Sequence, residues 1–321
     1  MYVKNHLFEA AQKAHRYNYL MNENPIPLKD LLPEKVEIDI TSISAYTREG
    51  QFTSLAVELL KETAILTSLL AGTHQLEENN NPRRWTRNEA VLAGLMVRLS
   101  KLQRGFLDQA CQHRREIADI IFRPLVENIV NLTFLLTKDD PALVEEYIEY
   151  SLRTEKRLLI EIEDNIKEQG FELPIEQRMK ASIMRVFEQS GFAPEMVDEN
   201  NFRPWGGNIK KRARTAGMEE GYLSIMGLPS HAIHGNWQDL ITHHLEYENG
   251  EFSPKTEWTQ YRPQGIFAVA SYSVMANSLY ARKAIPQTQE AEEIETVLSD
   301  LMVRIKVANE LHEQFLQNKG S

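Results

Sequence analysis

The chain has 321 residues, with 36 Lys and Arg against 46 Asp and Glu, so its formal net charge is −10 at pH 7. Apolar residues make up 42% and charged residues 26%, which is typical of a globular protein and excludes disordered and collagen-like classes. The acidic balance argues against non-specific coating of DNA, because such binding depends on neutralising phosphates with Lys and Arg. The single cysteine, Cys111, excludes an intramolecular disulfide and a four-cysteine zinc site.

Nothing in the sequence predicts a membrane segment or a signal peptide. The longest unbroken apolar run, Ala90 to Val97, is far shorter than the roughly 18 to 20 residues that a membrane-spanning helix needs. Residues Met1 to His6 lack the charged-then-apolar layout of a signal peptide. We therefore expect a cytoplasmic protein with no membrane partner.

The first 85 residues are predicted to form an N-terminal helical region. Apolar residues recur at helical spacing from Val3 to Tyr17, and alternation over residues 33–40 predicts an extended connector or a short edge strand. A second helix runs to Gly72, which suits a left-handed cap. Residues 73–85 are polar and rich in Asn, which indicates a surface loop.

Residues 86–240 are predicted to form the core helical domain. Thr86 and Glu89 form a capping box ahead of a helical pattern that continues nearly to Leu136. Because this pattern is long, a break is expected within it, at Gly105 or Pro124. Further helices are predicted from Asp140-Pro141 to Gly170 and from Ile175 to Ser190, and a loop over 201–208.

Residues 241–321 are predicted to form a hairpin insertion and C-terminal helices that pack on the core. Asn249-Gly250 is a strong hairpin signal, and the last helices are expected from about Gly265 to Ala284 and from Thr288 to Leu316. The apolar stripe of the last helix is either core-facing, the commoner case, or a seam for a partner helix. The predicted fold is all-α, a multi-helix bundle with a small β-hairpin insertion near residues 244–252.

Arg123 and Glu127 lie four residues apart in an otherwise apolar helix. A pair at this spacing is either a structural ion pair on one helix face or the polar floor of a site, because burying charge is costly and needs partners. Ser230, His231 and His234 lie within a few residues of one another after Pro229. Imidazole titrates near neutrality, so these residues either shuttle protons or tie down a helix junction.

A basic cluster, Lys210, Lys211, Arg212 and Arg214, precedes the Ser/His motif in this acidic protein. A solvated helix face is the commoner explanation of such a run, and a phosphate-contacting edge is the functional one. A weaker third possibility is a metal site on His231, His234 and Glu127, although zinc needs three or four ligands. We expect neither a metal nor a cofactor.

The stretch from Arg214 to Tyr222, followed by Ser230 to Gly235, resembles an uncharacterised bacterial family catalogued as domain of unknown function 5677. Members of that family have a Gly, then a Tyr-bearing helix, then a Ser-x-x-x-His step. The helix with Arg123 and Glu127 is similar to the family's other polar position. The resemblance covers about residues 91–236, and it implies a site at these motifs without naming a reaction.

Proteins of this type are distantly similar to HEPN domains, many of which are ribonucleases in toxins and anti-phage systems, often as dimers. HEPN nucleases use an Arg and a His about four to six residues apart. The His exchanges protons with the ribose hydroxyl and the leaving oxygen, and the Arg stabilises the charge of the phosphorane. This sequence departs from that pattern, because Gly227, Leu228 and Pro229 stand where the Arg would be. The Arg must therefore come from elsewhere, with Arg123 or Arg214 as candidates.

Two functional hypotheses follow. The first is an HEPN-like, metal-independent ribonuclease or toxin-type effector that acts in anti-phage defence. Under this hypothesis His234 is the acid/base and Arg123 stabilises the phosphate, with Glu127, Ser230 and His231 beside them. Four residues are predicted to bind its substrate: Tyr222, Lys211, Arg212 and Arg214. The second is a non-catalytic helical module that recognises a protein or nucleotide partner, or forms a homodimer. RNA is the expected partner under the first hypothesis.

Overall fold

The computed structural model describes residues 28–73, 83–219 and 232–319, which form an all-α bundle with one two-stranded antiparallel hairpin. The predicted N-terminal helix from Val3 to Tyr17 lies outside these residues, as does most of the predicted loop over 73–85. The helices are α1 Ile40–Ser44, α2 Glu49–Ala71, α3 Arg87–Cys111, α4 Arg115–Lys138, α5 Pro141–Gln169, α6 Pro174–Ser190, α7 Ile209–Thr215, α8 Pro263–Ala284 and α9 Gln289–Lys319. The hairpin strands are β1 Leu245–Glu248 and β2 Glu251–Pro254.

Four long helices enclose the centre of the core. Helix α2 packs on α3, α3 on α4, α4 on α8, and α8 returns to α2, so each buries one apolar face against two neighbours. Helix α9 lies over α2 and α8, α5 lies on α3 with α6 outside it, and α7 packs on α4. The fully buried side chains include Phe52, Met96, Leu125 and Phe267, one from each helix of the ring.

The long helical pattern after Thr86 is broken, but at neither predicted position. Helix α3 ends at Cys111 and α4 begins at Arg115, with His113 between them in the left-handed region at φ 56°. Gly105 and Pro124 lie inside the two helices, so both predicted break points are wrong. The chain turns at a short polar segment because α4 must fold back to bury its apolar face on α3, and that requirement is tertiary rather than local.

The helix termini largely follow the local signals. The Thr86 hydroxyl accepts a hydrogen bond from the Glu89 backbone N–H, and the Glu89 carboxylate accepts one from the Thr86 backbone N–H. These two hydrogen bonds confirm the capping box. Asp140 caps α5 and Gly170 ends it in the left-handed conformation at φ 78°. Gly72, however, has φ −92°, so the left-handed cap predicted there is wrong. Residues 33–39 form the expected extended connector rather than a strand.

The predicted hairpin is present around Asn249-Gly250, both with positive φ of 54° and 91°, as a tight two-residue hairpin turn requires. Tyr247 pairs with Phe252 across the strands. The hairpin follows a π-helical turn, Leu240–His244, which itself follows a short helical turn at Trp237–Asp239. Such π-turns occur frequently at functional sites.

The apolar stripe of the last helix faces the core, which is the first of its two predicted alternatives. Leu301, Ile305 and Ala308 are buried, as is Leu298 outside the predicted stripe. The other stripe residues are partly buried against the core: Ile294, Val297, Leu311 and Phe315. The three-part division of the chain at residues 85 and 240 stays a prediction.

Helix α4 is long and apolar enough, by length and composition alone, to cross a membrane, and it is the one such helix found among the described residues. In its most apolar window 56% of the residues are buried inside the bundle. Burial against α3, α7 and α8 is typical of the core helix of a bundle.

Candidate functional site

One face of α4 carries a line of charged residues along an otherwise apolar helix. Glu116, Asp119, Arg123 and Glu127 are spaced by three, four and four residues, which places them on the same side of the helix. Each step of four residues advances about 6 Å along the axis. The predicted Arg123–Glu127 pair is therefore the far end of a longer polar line.

The imidazole of His243 lies against the near end of this line. Its Nδ1 is 3.5 Å from Glu116 Oε1 and its Nε2 is 3.9 Å from Asp119 Oδ2. His243 and Glu116 are buried. Burial lowers the pKa of His243 and the nearby Arg115 lowers it further, against the opposite influence of the carboxylates. The imidazole is accordingly neutral at neutral pH.

Tyr261 and Thr259 contact the carboxylates of α4. The Tyr261 hydroxyl hydrogen-bonds to the Asp119 carboxylate, and burial together with Asp119 raises the pKa of Tyr261 well above its usual value. The pKa of Asp119 is also raised, mainly by burial, despite Arg115 with its Nε 3.5 Å from Oδ2. The Thr259 hydroxyl donates to Glu116 Oε1 at 3.1 Å. Burial therefore holds ionisable groups here away from their ordinary titration.

His244 is the exposed member of the same group. Its side chain is 48% exposed and its Nε2 lies 3.4 Å from Oδ2 of Asp239, whose side chain is only 7% exposed. The π-turn places His243 and His244 next to each other with ring centroids 6.3 Å apart. An accessible imidazole beside a buried carboxylate is the pairing from which the base-and-orienter arrangement of acid–base sites is built.

We call this group the carboxylate–imidazole cluster. It consists of six residues: Glu116, Asp119, Asp239, His243, His244 and Tyr261. Within the described part of the chain, Glu116 Oε2 and His243 Nδ1 are buried without a hydrogen-bond partner. Buried polar atoms are almost always hydrogen-bonded, so the cluster keeps capacity to accept and donate that its own contacts do not use.

The site residues predicted from the sequence are only partly brought together. Arg123 Nε and Glu127 Oε2 are 3.8 Å apart, with the side chains 25% and 41% exposed, so the pair is partly buried as expected. His234 is exposed. Ser230, His231 and Tyr222 lie outside the described residues, so the predicted meeting of Ser230 with His234 and Arg123 stays a prediction.

The predicted basic cluster divides into three different environments. Arg212 is buried, donates to the carbonyls of Trp205 and Gly207 at 2.8 and 3.0 Å, and stacks over the Trp205 ring at 4.2 Å. Through these contacts Arg212 stabilises the loop before α7. Arg214 is exposed and pairs with Glu219 at 2.6 Å. Lys211, which is also exposed, is the member that faces an open hollow.

This hollow has a volume of about 480 Å³ between the end of α4, the start of α5 and the loop before α7. Lys138, Arg203 and Lys211 line it together with the Gly206-Gly207 turn; we call these residues the basic hollow. A side chain at Gly206 would come within 2.7 Å of the Phe134 ring, so the tight turn needs glycine there. Asp140 and Glu146 lie on the same lining.

Sequence reasoning missed His243, His244, Glu116 and Asp119. The spacing of Glu116 and Asp119 on one face of an apolar helix was a usable signal, like that of Arg123 and Glu127. The His243-His244 pair lies in a stretch without clear periodicity, so no local pattern indicated that it turns inward. No group of three or more His, Cys, Asp or Glu placed to hold a metal ion occurs among the residues that the structure describes.

The fold and the site together define a helical-bundle protein with a buried carboxylate–imidazole cluster. The model of a family described as "Family of unknown function (DUF5677)" matches residues 89–252, just over half of the chain. The chain belongs to this family, which confirms the resemblance seen in the sequence motifs. No curated protein matches the chain significantly, and no solved structure does. The match ends inside β2 of the hairpin, at residue 252, and therefore includes His243 and His244.

Proposed function

We propose that this chain is an HEPN-like ribonuclease that cleaves RNA without a metal ion, acting as a toxin-type effector or in anti-phage defence. The observation that supports the proposal best is the His244 imidazole, exposed on one side and held 3.4 Å from buried Asp239 on the other. Arg123 lies on the same face of α4 as the carboxylates of the cluster, one turn beyond Asp119. An oriented imidazole and a guanidinium are the two groups that phosphodiester cleavage needs.

The chemistry assigns a role to each of these groups. The His244 imidazole takes the proton of a ribose 2′-hydroxyl, and the 2′-oxygen attacks the adjacent phosphorus. The resulting imidazolium returns the proton to the leaving 5′-oxygen, which gives a 2′,3′-cyclic phosphate and a free 5′-hydroxyl. Arg123 stabilises the negative charge of the pentacoordinate phosphorus. Asp239 acts as a positioning residue that orients the imidazole.

This proposal moves the acid/base role from His234 to His244. Both imidazoles are exposed, but the described contacts include an orienting carboxylate only for His244. His234 stays in the test as the acid/base residue predicted from the sequence.

The test incubates the purified full chain with a 5′-labelled single-stranded RNA in the presence of a chelator. We expect fragments that end in 2′,3′-cyclic phosphate, and a loss of cleavage of about 10²- to 10⁴-fold in His244→Ala, the usual contribution of a general acid–base. His113→Asn is the matched control, since His113 is an exposed imidazole at the α3–α4 turn with φ 56° that Asn tolerates. Intact RNA with the wild-type chain, or full cleavage by both His244→Ala and His234→Ala, would contradict the proposal.

A second candidate, a non-catalytic module that binds a protein partner, is favoured by a different observation. Trp237, Tyr247 and Phe252 are 57%, 67% and 51% exposed, and their rings contact one another with centroids 5.4 and 4.7 Å apart. Exposed clusters of large apolar side chains are typical of interaction surfaces. The hairpin also carries Glu246, Glu248 and Glu251, which complement a partner with basic residues.

The RNA incubation separates the two functions. A binding module leaves the RNA intact, with or without His244. Under the binding module Phe252→Ser removes an exposed apolar ring of the hairpin and weakens partner binding, whereas a ribonuclease that uses His244 retains cleavage in this variant.

A further inference from the structure

We infer that the basic hollow binds the phosphate monoester of a ribonucleotide. This site is separate from the carboxylate–imidazole cluster: Lys138 lies at the C-terminal end of α4, whereas Glu116 and Asp119 lie near its start. The inference does not depend on the ribonuclease proposal. It rests on the charges around the hollow, on its shape and on the rigid turn that forms one wall.

The charge balance of the lining leaves its cations available. Lys138, Arg203 and Lys211 form no ion pair with any residue in the described part of the chain, while all three line one hollow. Asp140 and Glu146 lie on the same lining, so the three cations and two carboxylates leave one positive charge uncompensated, and an anionic ligand compensates it. Phosphate is the anion that suits a combination of Arg and Lys donors, because Arg binds it bidentately and Lys as a point charge.

The two carboxylates on the lining compensate part of this charge, and each also accepts a backbone hydrogen bond. Asp140 Oδ1 accepts from the Ala142 N–H at 2.9 Å and caps α5. Glu146 Oε2 accepts from the Gly206 N–H at 3.2 Å. Each keeps a second carboxylate oxygen, and a carboxylate oxygen beside a phosphate-binding group is suited to accept from a sugar hydroxyl. The lining therefore fits a phosphorylated sugar better than inorganic phosphate.

The volume and the rigidity of the hollow favour a ligand of nucleotide size. Its volume of about 480 Å³ is within the usual range of small-molecule sites, roughly 300 to 1,000 Å³. One wall is the Gly206-Gly207 turn, held by Arg212 on Trp205 and by the Gly206 contact to Glu146. A wall that is already ordered lowers the entropic cost of binding.

Calorimetric titration of the full chain tests this inference with four probes: adenosine 5′-monophosphate, ribose 5-phosphate, inorganic phosphate and adenosine. We expect the monophosphate to bind most tightly, ribose 5-phosphate and phosphate progressively more weakly, and adenosine not to bind. A 5′-phosphorylated oligoribonucleotide is a further arm, because the same monoester occurs at an RNA end. Tight binding of the oligonucleotide alone assigns the monoester to RNA and supports the same chemistry.

Variants of α7 supply a matched pair. Lys211→Glu reverses a charge on the lining, whereas Lys210→Glu makes the same change at the neighbouring exposed residue, which does not line the hollow. We expect affinity to fall at least tenfold in Lys211→Glu and in Arg203→Glu, and less than twofold in Lys210→Glu, with circular dichroism confirming the fold. Equal losses in Lys210→Glu and Lys211→Glu, equal binding of adenosine, or no binding of any probe at millimolar concentration would overturn the inference.

Discussion

Two buried polar groupings in this protein differ in how completely their atoms are satisfied. In the first, Arg304 of α9 donates to both oxygens of Glu62 of α2 at 2.6 and 2.7 Å, and also to Asp300 and to the Val36 carbonyl at 2.8 and 2.9 Å. Glu62 additionally accepts from the Val36 N–H at 3.0 Å. We call this grouping the α2–α9 ion pair; it fastens the last helix and the connector to the core.

The carboxylate–imidazole cluster is arranged differently. Its imidazole–carboxylate distances range from 3.4 to 3.9 Å, and it contains buried atoms without hydrogen bonds among the described residues. Burial also raises the pKa of Asp119 and lowers that of His243. Closely satisfied charges stabilise an architecture, whereas incompletely satisfied groups with shifted pKa values are typical of sites that exchange protons or bind ligands. The comparison therefore distinguishes a fully satisfied structural network from the cluster on which the proposed function rests.

The largest expected effect is at the α2–α9 ion pair. Glu62→Ala leaves the Arg304 guanidinium buried without its bidentate partner, and breaking a buried pair in this way costs about 3–5 kcal/mol of the free energy of unfolding. Urea denaturation of the purified chain measures this loss. Lys35→Ala, which removes the exposed contact of Lys35 with Asp300, is the control and costs less than about 1 kcal/mol. Similar losses in both variants would show that the buried pair has no special structural role.

A smaller effect of opposite sign is expected within the carboxylate–imidazole cluster. Asp119→Asn keeps an oxygen that accepts from Tyr261 and removes a carboxylate whose pKa burial raises. Because burial of the charge outweighs its attraction to Arg115, we expect the midpoint of thermal unfolding at pH 7 to rise by a few degrees at most. The matched change Glu62→Gln lowers the midpoint. A fall in Asp119→Asn as large as that in Glu62→Gln would assign both groupings to structure.

The smallest effect is a pH dependence from His243. Its folded-state pKa lies below that of the unfolded chain, whose imidazole titrates near 6.5. As the pH falls below about 6.5 the unfolded chain therefore binds the proton first, so this contribution to stability is present above that pH and is lost below it. Thermal unfolding between pH 8 and pH 5.5 measures the slope.

His243→Gln should flatten this slope. His312 contributes in the same direction, since burial also lowers its pKa, and His312→Gln therefore serves as a comparison from a different helix, α9. An unchanged slope in His243→Gln would mean that Glu116, Asp119 and Asp239 keep the imidazole as easily protonated as in the unfolded chain.

The family match and the packing do not coincide. Residues 89–252 include α3 and α4 but leave out α2 and α8, which close the ring of core helices, and α9, which covers it. Half of the central ring therefore lies outside the matched residues. The site is divided in the same way, because Tyr261, which hydrogen-bonds to Asp119, follows the end of the match.

Much of the architecture was predictable because its signals are local. Helical spacing, the Thr86 capping box, Asp140-Pro141 and Gly170 placed helix termini within a few residues, and Asn249-Gly250 placed the hairpin. The exact break between α3 and α4 was not predictable, because the turn at His113 carries no Gly or Pro. Within the candidate site, the Arg123–Glu127 pair was predicted from its spacing, whereas its continuation through Asp119 to His243 was not.

The amino-acid sequence by itself determined the helical class, the hairpin and the family, since propensity, periodicity and turn chemistry act over a few neighbouring residues. Only the tertiary structure decided which polar side chains meet. His243 reaches Glu116 because the π-turn and the segment up to Tyr261 pack against the start of α4, and Lys211 joins Lys138 because α7 packs against its end. Contacts between residues far apart in the chain depend on how helices pack, and packing is decided by the whole core rather than by any local pattern.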